Sequence, residues 1–349
     1  MMMHRFSYLV TLLLLTLASV SCQPHAPFCF GHSHGAKVRI DVDWSEFKES
    51  KPTGMTISLF PSDETVQPIQ HITHTTTHAV FNLVPDEYTV LVHNQSESEF
   101  GFVKFRDMNH YSTARVQPER CTSSWYRPVG GEILVLNPEW LAFDMQETVV
   151  TGEMVEGDTI SDEKHRSRTD DGNETLISTM IPENVIYTLH VSVKVKGINN
   201  YKSARAAFSG MADGYFIGSQ EYHTDQVTHL MDTWTMNGKH EDEDGVQTGT
   251  ITSEITCFGL PPGHEGTAKE NIFRLSLLLV DNETRINRMF NVGSRIYQRT
   301  TNGSPLHLYL DLALSEKLPD VTPASDDSEN GFDAEVNEWG EETNQDIGL

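Results

Sequence analysis

Basic residues are scarce. The 349-residue chain has 25 Lys and Arg against 50 Asp and Glu, a formal net charge of −25. Nucleic-acid binding needs basic patches that displace counterions from phosphate, so the deficit excludes it. It also argues against a domain held on anionic lipid by Lys and Arg. Catalytic signatures are missing. There is no Gly-x-Ser-x-Gly elbow, no His-Glu-x-x-His pair and no phosphate loop ending in Gly-Lys-Ser/Thr. The glycines of 259–267 are interrupted by Pro261-Pro262 and lack the lysine. Carboxylates are so numerous that spacing singles out no catalytic pair. The chain is therefore expected to be neither an enzyme nor the holder of a cofactor. Helical periodicity of useful length is absent. Beyond the N-terminal run, no apolar stretch approaches the roughly 20 residues that span a bilayer.

The N-terminus reads as an export signal, residues 1–21, ending at Cys22. His4 and Arg5 precede the apolar run Phe6–Leu17, and small residues lead into Cys22. Two processing routes fit. Cys22 becomes the lipidated first residue of a lipoprotein, or an ordinary peptidase cuts after Ser21. Ser19 stands where lipoproteins prefer Leu, yet lipidation of Cys22 is the preferred reading. Its acyl chains would be the sole attachment, and two or more chains anchor stably. Export places Cys29, Cys121 and Cys257 in an oxidising compartment. An odd number cannot all pair, and spacing fixes no connectivity. Cys257 sits in an alternating strand and is expected to be a buried thiol.

The rest of the chain alternates with period two, the mark of half-buried strands. Val38, Ile40, Val42 and Trp44 face one way, and Lys37, Arg39, Asp41 and Asp43 the other. Met55, Ile57 and Leu59 repeat the pattern, as do Tyr88, Val90 and Val92 after the Pro85-Asp86 turn. A second block resumes it with Tyr187, Leu189, Val191, Val193 and Val195, then the turn Gly197–Asn200. Further candidates are 204–208, 214–218, 250–258, 274–280 and 306–314. Short strands with turn signals between them mean sandwiches or barrels. The expected fold is all-β, with two β-sandwiches in tandem at 36–150 and 182–315. A tether, 22–35, precedes them. Residues 151–181, with eight acids and three bases, read as a linker or loop. Residues 316–349 carry eleven acids and one base, the composition of a disordered tail.

Candidate ligands are few. His25, Cys29, His32 and His34 could bind a metal weakly, because thiolate and imidazole suit zinc or copper, but no second ligand pair follows. His71, His74 and His78 lie among Thr and Ile that favour a strand, so they are expected on the surface. His240–Gly245 and Asp326–Gly331 resemble the start of a calcium loop. Their twelfth positions are Ile251 and Asn337, where a bidentate Glu is needed. Asn94, Asn173, Asn282 and Asn302 begin glycosylation triplets. Trp125-Tyr126 and Trp234 are the aromatics that exposed loops could offer to a glycan, with burial the expected fate of each.

Certain segments carry a resemblance. After Cys22 and a His-containing tether come Ala36-Lys-Val-Arg-Ile-Asp-Val-Asp-Trp-Ser45 and Pro52-Thr-Gly-Met-Thr-Ile-Ser-Leu-Phe-Pro61. Pro85-Asp-Glu-Tyr-Thr-Val-Leu-Val-His-Asn94 follows, then Val191–Asn200 and Ala206–Gly214. Together they resemble surface lipoproteins of Gram-negative anaerobes similar to the fimbrillin superfamily, in particular its fimbrial anchors and minor subunits. The resemblance spans about residues 22–315. It implies two transthyretin-like sandwiches of seven or so strands each and a lipid on Cys22 in the outer membrane. It also implies an open edge to which a neighbouring subunit adds a strand. The expected partners are other fimbrial or surface subunits. The rival expectation is a glycan-binding surface lipoprotein that does not polymerise. The acidic tail is no part of the resemblance.

Overall fold

The computed structural model describes residues 35–47, 51–155, 174–242, 244–299 and 306–324. Contacts divide the chain into Met1–Gly35 and Ala36–Leu349, and every described strand lies in the second unit. Its first half supplies β1 (Ala36–Val42), β2 (Met55–Pro61), β3 (Ile69–Thr73), β4 (His78–Leu83), β5 (Asp86–Asn94) and β6 (Val103–Arg106). β7 (Arg115–Pro118), β8 (Leu134–Val135), β9 (Ala142–Val150), β10 (Thr175–Met180) and β11 (Glu183–Asn184) follow. The second half supplies β12 (Tyr187–Lys196), β13 (Tyr201–Ala212), β14 (Tyr215–Phe216), β15 (Glu221–Tyr222), β16 (Gln226–Met231) and β17 (Thr235–Glu241). β18 (Gln247–Cys257), β19 (Ile272–Leu279), β20 (Arg285–Asn291), β21 (Tyr297–Gln298) and β22 (His307–Lys317) complete it. Helix among the described residues is confined to Gly152–Val155 and four 3-10 turns. The all-β, sandwich-like class expected from the alternation is the class found.

Alternation becomes burial strand by strand. In β1, Ala36, Val38, Ile40 and Val42 are buried while Lys37 is exposed. A three-stranded sheet, β10-β1-β4, faces a five-stranded one, β11-β9-β5-β2-β3. Between them pack Val38, Ile40 and Phe81 from one side and Ile57, Leu59, Val90 and Val92 from the other. Each such Val, Ile or Leu contributes about 2 kcal/mol by leaving water. The second sandwich lays β17-β18-β12-β22-β21 on β20-β19-β13-β16-β8. Its core combines Leu189, Val191, Val193, Leu310 and Leu312 with Phe208, Phe273, Leu275 and Leu277. Cys257 is fully buried there, and burial pushes its thiol up to about 12.

The two halves share a third core. The back of the first sandwich's larger sheet offers Phe60, Leu91 and Phe143. Against it pack Val103 and Val116 from the small sheet β15-β14-β7-β6, with Tyr215, Ile217 and Phe258 from the second half. β5 is consequently buried on both faces, from Tyr88 to Asn94. Residues 119–135 then cross to the second sandwich, where β8 pairs parallel with β16. Beneath this strap lie Trp125 and Tyr126, buried as expected. Arg274 Nη1 donates to Glu132 Oε1 at 2.7 Å, and Tyr126 Oη donates to Glu132 Oε2 at 2.5 Å.

Two segments read from composition contain more order than their charge suggested. Within 151–181, Thr175–Met180 forms β10, parallel to β1. Its six residues carry no charge, so the acidity upstream does not oppose pairing. At the other end, β22 runs to Lys317, Leu318 is buried, and the Ala324 N–H donates to the Val280 carbonyl. Residues 325–349 lie outside the described residues.

Two outcomes follow from these cores. Glu132→Ala leaves the Arg274 guanidinium buried without its carboxylate and is expected to cost about 3 kcal/mol in denaturant unfolding. His93 and His229 are fully buried, and desolvation pulls them down to about 4 and about 3. The unfolded chain therefore binds protons that the native state refuses. The stability present above about pH 6.5 is lost as pH falls towards 4. His93→Phe should flatten that decline by about 1.4 kcal/mol per pH unit, measured by chemical denaturation from pH 4 to 7.

Candidate functional site

The residues that sequence marked for chemistry do not converge. Cys22, His25, Cys29, His32, His34 and the 326–331 turn lie outside the described residues, as do Asn173 and Asn302. His71 lies in β3, His74 in the following turn and His78 at the start of β4. His71 and His74 are exposed and His78 half-buried, which agrees with the surface expectation. Among the described residues, no three His, Cys, Asp or Glu side chains are placed to hold a metal. At 240–245, the Asp242 carboxylate accepts the backbone N–H groups of Asp244 and Val246, which closes the β17–β18 hairpin. Trp234 is half-buried against the second core, and its indole donates to the Met231 carbonyl. Cys121 and Cys257 are both free thiols.

Backbone is a further means of recognition. An edge strand exposes a row of unpaired N–H and C=O groups, and natural sheets blunt such rows with charge, proline, bulges or brevity. Most edges here are blunted. β17 carries Lys239 and Glu241 and is bulged at Gly238, whose φ is +59°. β20 carries Arg285 and Arg288, the latter ion-paired with Glu316 at 2.5 Å. β6 carries Lys104 and Arg106. β8, β11, β15 and β21 are two residues long.

β3 and β4 differ. They are the edges of the two facing sheets on one side of the first sandwich, joined by residues 74–77. Their sequences, IQHIT and HAVFNL, contain no charged residue and no proline. On β3, Ile69 and Ile72 are 42% and 58% exposed, and Val66 just before it is 49% exposed. A ring contact, His71 to Phe81 at 5.5 Å, spans the seam. The opposite seam of the same sandwich is closed by side chains. There Ser178 Oγ donates to Gln146 Oε1, Gln146 Nε2 to the Thr179 carbonyl, and Thr148 Oγ1 to the Ile177 carbonyl. The Ile181 N–H also donates to the Asp144 carboxylate at 2.8 Å. One side of the sandwich is therefore sealed, and the other offers two neutral, apolar edges.

A family described as a domain of unknown function (DUF5119) matches residues 21–232, from Ser21 to Asp232, one residue past β16. Among curated proteins no sequence matches. Among solved structures, a candidate adhesin from Bacteroides ovatus is similar over 82% of this chain and 94% of its own, at 14% identity and a TM-score of 0.52. A second candidate adhesin from Bacteroides ovatus covers 74% of this chain and 76% of its own, at 9% identity and a TM-score of 0.42. The fimbrial anchor protein Mfa2 from Porphyromonas gingivalis covers 79% and 90%, at 14% identity and a TM-score of 0.39.

Proposed function

The chain belongs to the DUF5119 family, and from that premise we propose that it is an exported surface subunit that pairs with other subunits by β-strand addition. The observation that carries this reading is the uncharged edge of β3 and β4, with Ile69 and Ile72 exposed on it. A strand laid there would satisfy the outer backbone row of either sheet, and its alternate side chains would fill the seam. The work is mechanical, and no catalytic step is part of it. The finer role is an anchor or minor subunit of a fimbria-like adhesive fibre, held in the outer membrane by a lipid on Cys22. No helix among the described residues is long and apolar enough to cross a membrane. In this reading the acyl chains on Cys22 carry the attachment.

Ile69→Lys with Ile72→Lys places charge on the open edge without touching a core. Thermal stability should change by no more than about 0.5 kcal/mol. Recovery of higher assemblies on co-purification from cells should fall sharply, and undiminished assembly would count against the edge. Cys22→Ala should move the protein from the membrane fraction to the soluble fraction; continued membrane association would remove the lipid anchor from the account.

A further inference from the structure

The β6–β7 hairpin ends in a loop, 107–114, that packs against β14. Its shape is fixed from several sides. The Ala114 N–H and the Thr113 N–H both donate to the His110 carbonyl, at 2.9 and 3.1 Å. The Ile217 N–H donates to the Ala114 carbonyl at 2.8 Å. Gly218 lies so close that a Cβ there would stand 2.4 Å from the Tyr111 carbonyl oxygen. Asp107 holds a left-handed φ of +55°, a strained backbone for a residue with a Cβ. Arg115 begins β7 opposite Phe216 of β14, and its Nη2 pairs with the Asp107 carboxylate at 2.9 Å.

Between the loop and β14 lies an open hollow of about 390 Å³. Asp107, Asn109, His110, Ser112, Arg115 and Phe216 line it. Phe216 is its one apolar ring, stacked with His223 at 4.0 Å and 17°. The Arg115 Nε is buried and has no hydrogen-bond partner among the described residues. A simple anion would meet a guanidinium already neutralised by Asp107. A purely apolar ligand would have a single apolar ring to rest on. A ligand with one apolar C–H face and several hydroxyls matches both halves of the lining, because amide, hydroxyl, imidazole and carboxylate groups donate and accept around one ring.

We propose that this hollow binds a neutral hexopyranose at the end of a glycan chain. The pyranose C–H face would rest on Phe216, and its hydroxyls would bond to Asn109, Asp107 and Arg115. The site is independent of the β3–β4 edge, so a surface subunit could assemble through one face and hold sugar with another.

Saturation-transfer NMR on the whole chain tests this, with the methyl α- and β-pyranosides of glucose, galactose, mannose and N-acetylglucosamine as probes. At least one glycoside should receive saturation at its ring protons. Phe216→Leu and Asn109→Ala should each weaken that binding by about tenfold. Asn109 is exposed, so its variant keeps the fold even where Phe216→Leu disturbs the stack on His223. No transfer to any of these glycosides, or binding that Asn109→Ala leaves unchanged in a folded protein, overturns the proposal.

Discussion

Every sheet has to end, and how its last strand deals with an unpaired backbone row is the constraint on which this molecule turns. Charge, a bulge or mere brevity blunts most of the edges. On the far side of the first sandwich, Gln146, Thr148 and Ser178 tie β9 to β10 across the seam. The β3–β4 side receives none of these treatments, although 21% of the chain is Asp, Glu, Lys or Arg. In a protein so rich in charge, two adjoining uncharged edge strands stand out against the composition around them.

That open edge has a rigid foundation. β2 sits next to β3 in its sheet and faces two cores at once, with Ile57 and Leu59 on one and Phe60 on the other. The core shared by the two halves clamps the back of this sheet, so a strand added at β3 would meet a surface that does not have to rearrange. Preorganisation of this kind lowers the ordering cost of association. The Arg120–Asp213 pair, in which Nη1 and Nη2 donate to the two carboxylate oxygens at 2.6 and 2.5 Å, ties the strap to the second half. Arg274 with Glu132 does the same on the outer face of the second sandwich.

Much of the fold was legible because alternation is a direct imprint of one-sided burial. β1, β12, β18 and β22 carry that pattern, and the structure buries the residues it points to. β5 was legible as a strand, but the burial of Leu91 and His93 on its second face was not. Nothing in a period of two says that the outer face will meet another core. β3 left only the strand preference of Ile72 and Thr73 beside His71, because all five residues lie at an edge and none is fully buried. β10 was hidden by the acids upstream of it, and its parallel partner, β1, lies more than 130 residues away. The hollow beside Phe216 arises from a hairpin loop meeting a two-residue strand about 100 positions later, a juxtaposition that no local motif encodes.

The central claim is that this chain joins its partners through backbone offered by β3 or β4. Hydrogen exchange measured on the assembled protein and on the isolated chain reads that backbone directly. The account requires amides within 69–73 or 78–83 to slow markedly on assembly, while those of β17 and β20 exchange as before. If 69–83 exchanges equally fast in both states while another edge gains protection, the open seam is not the joint.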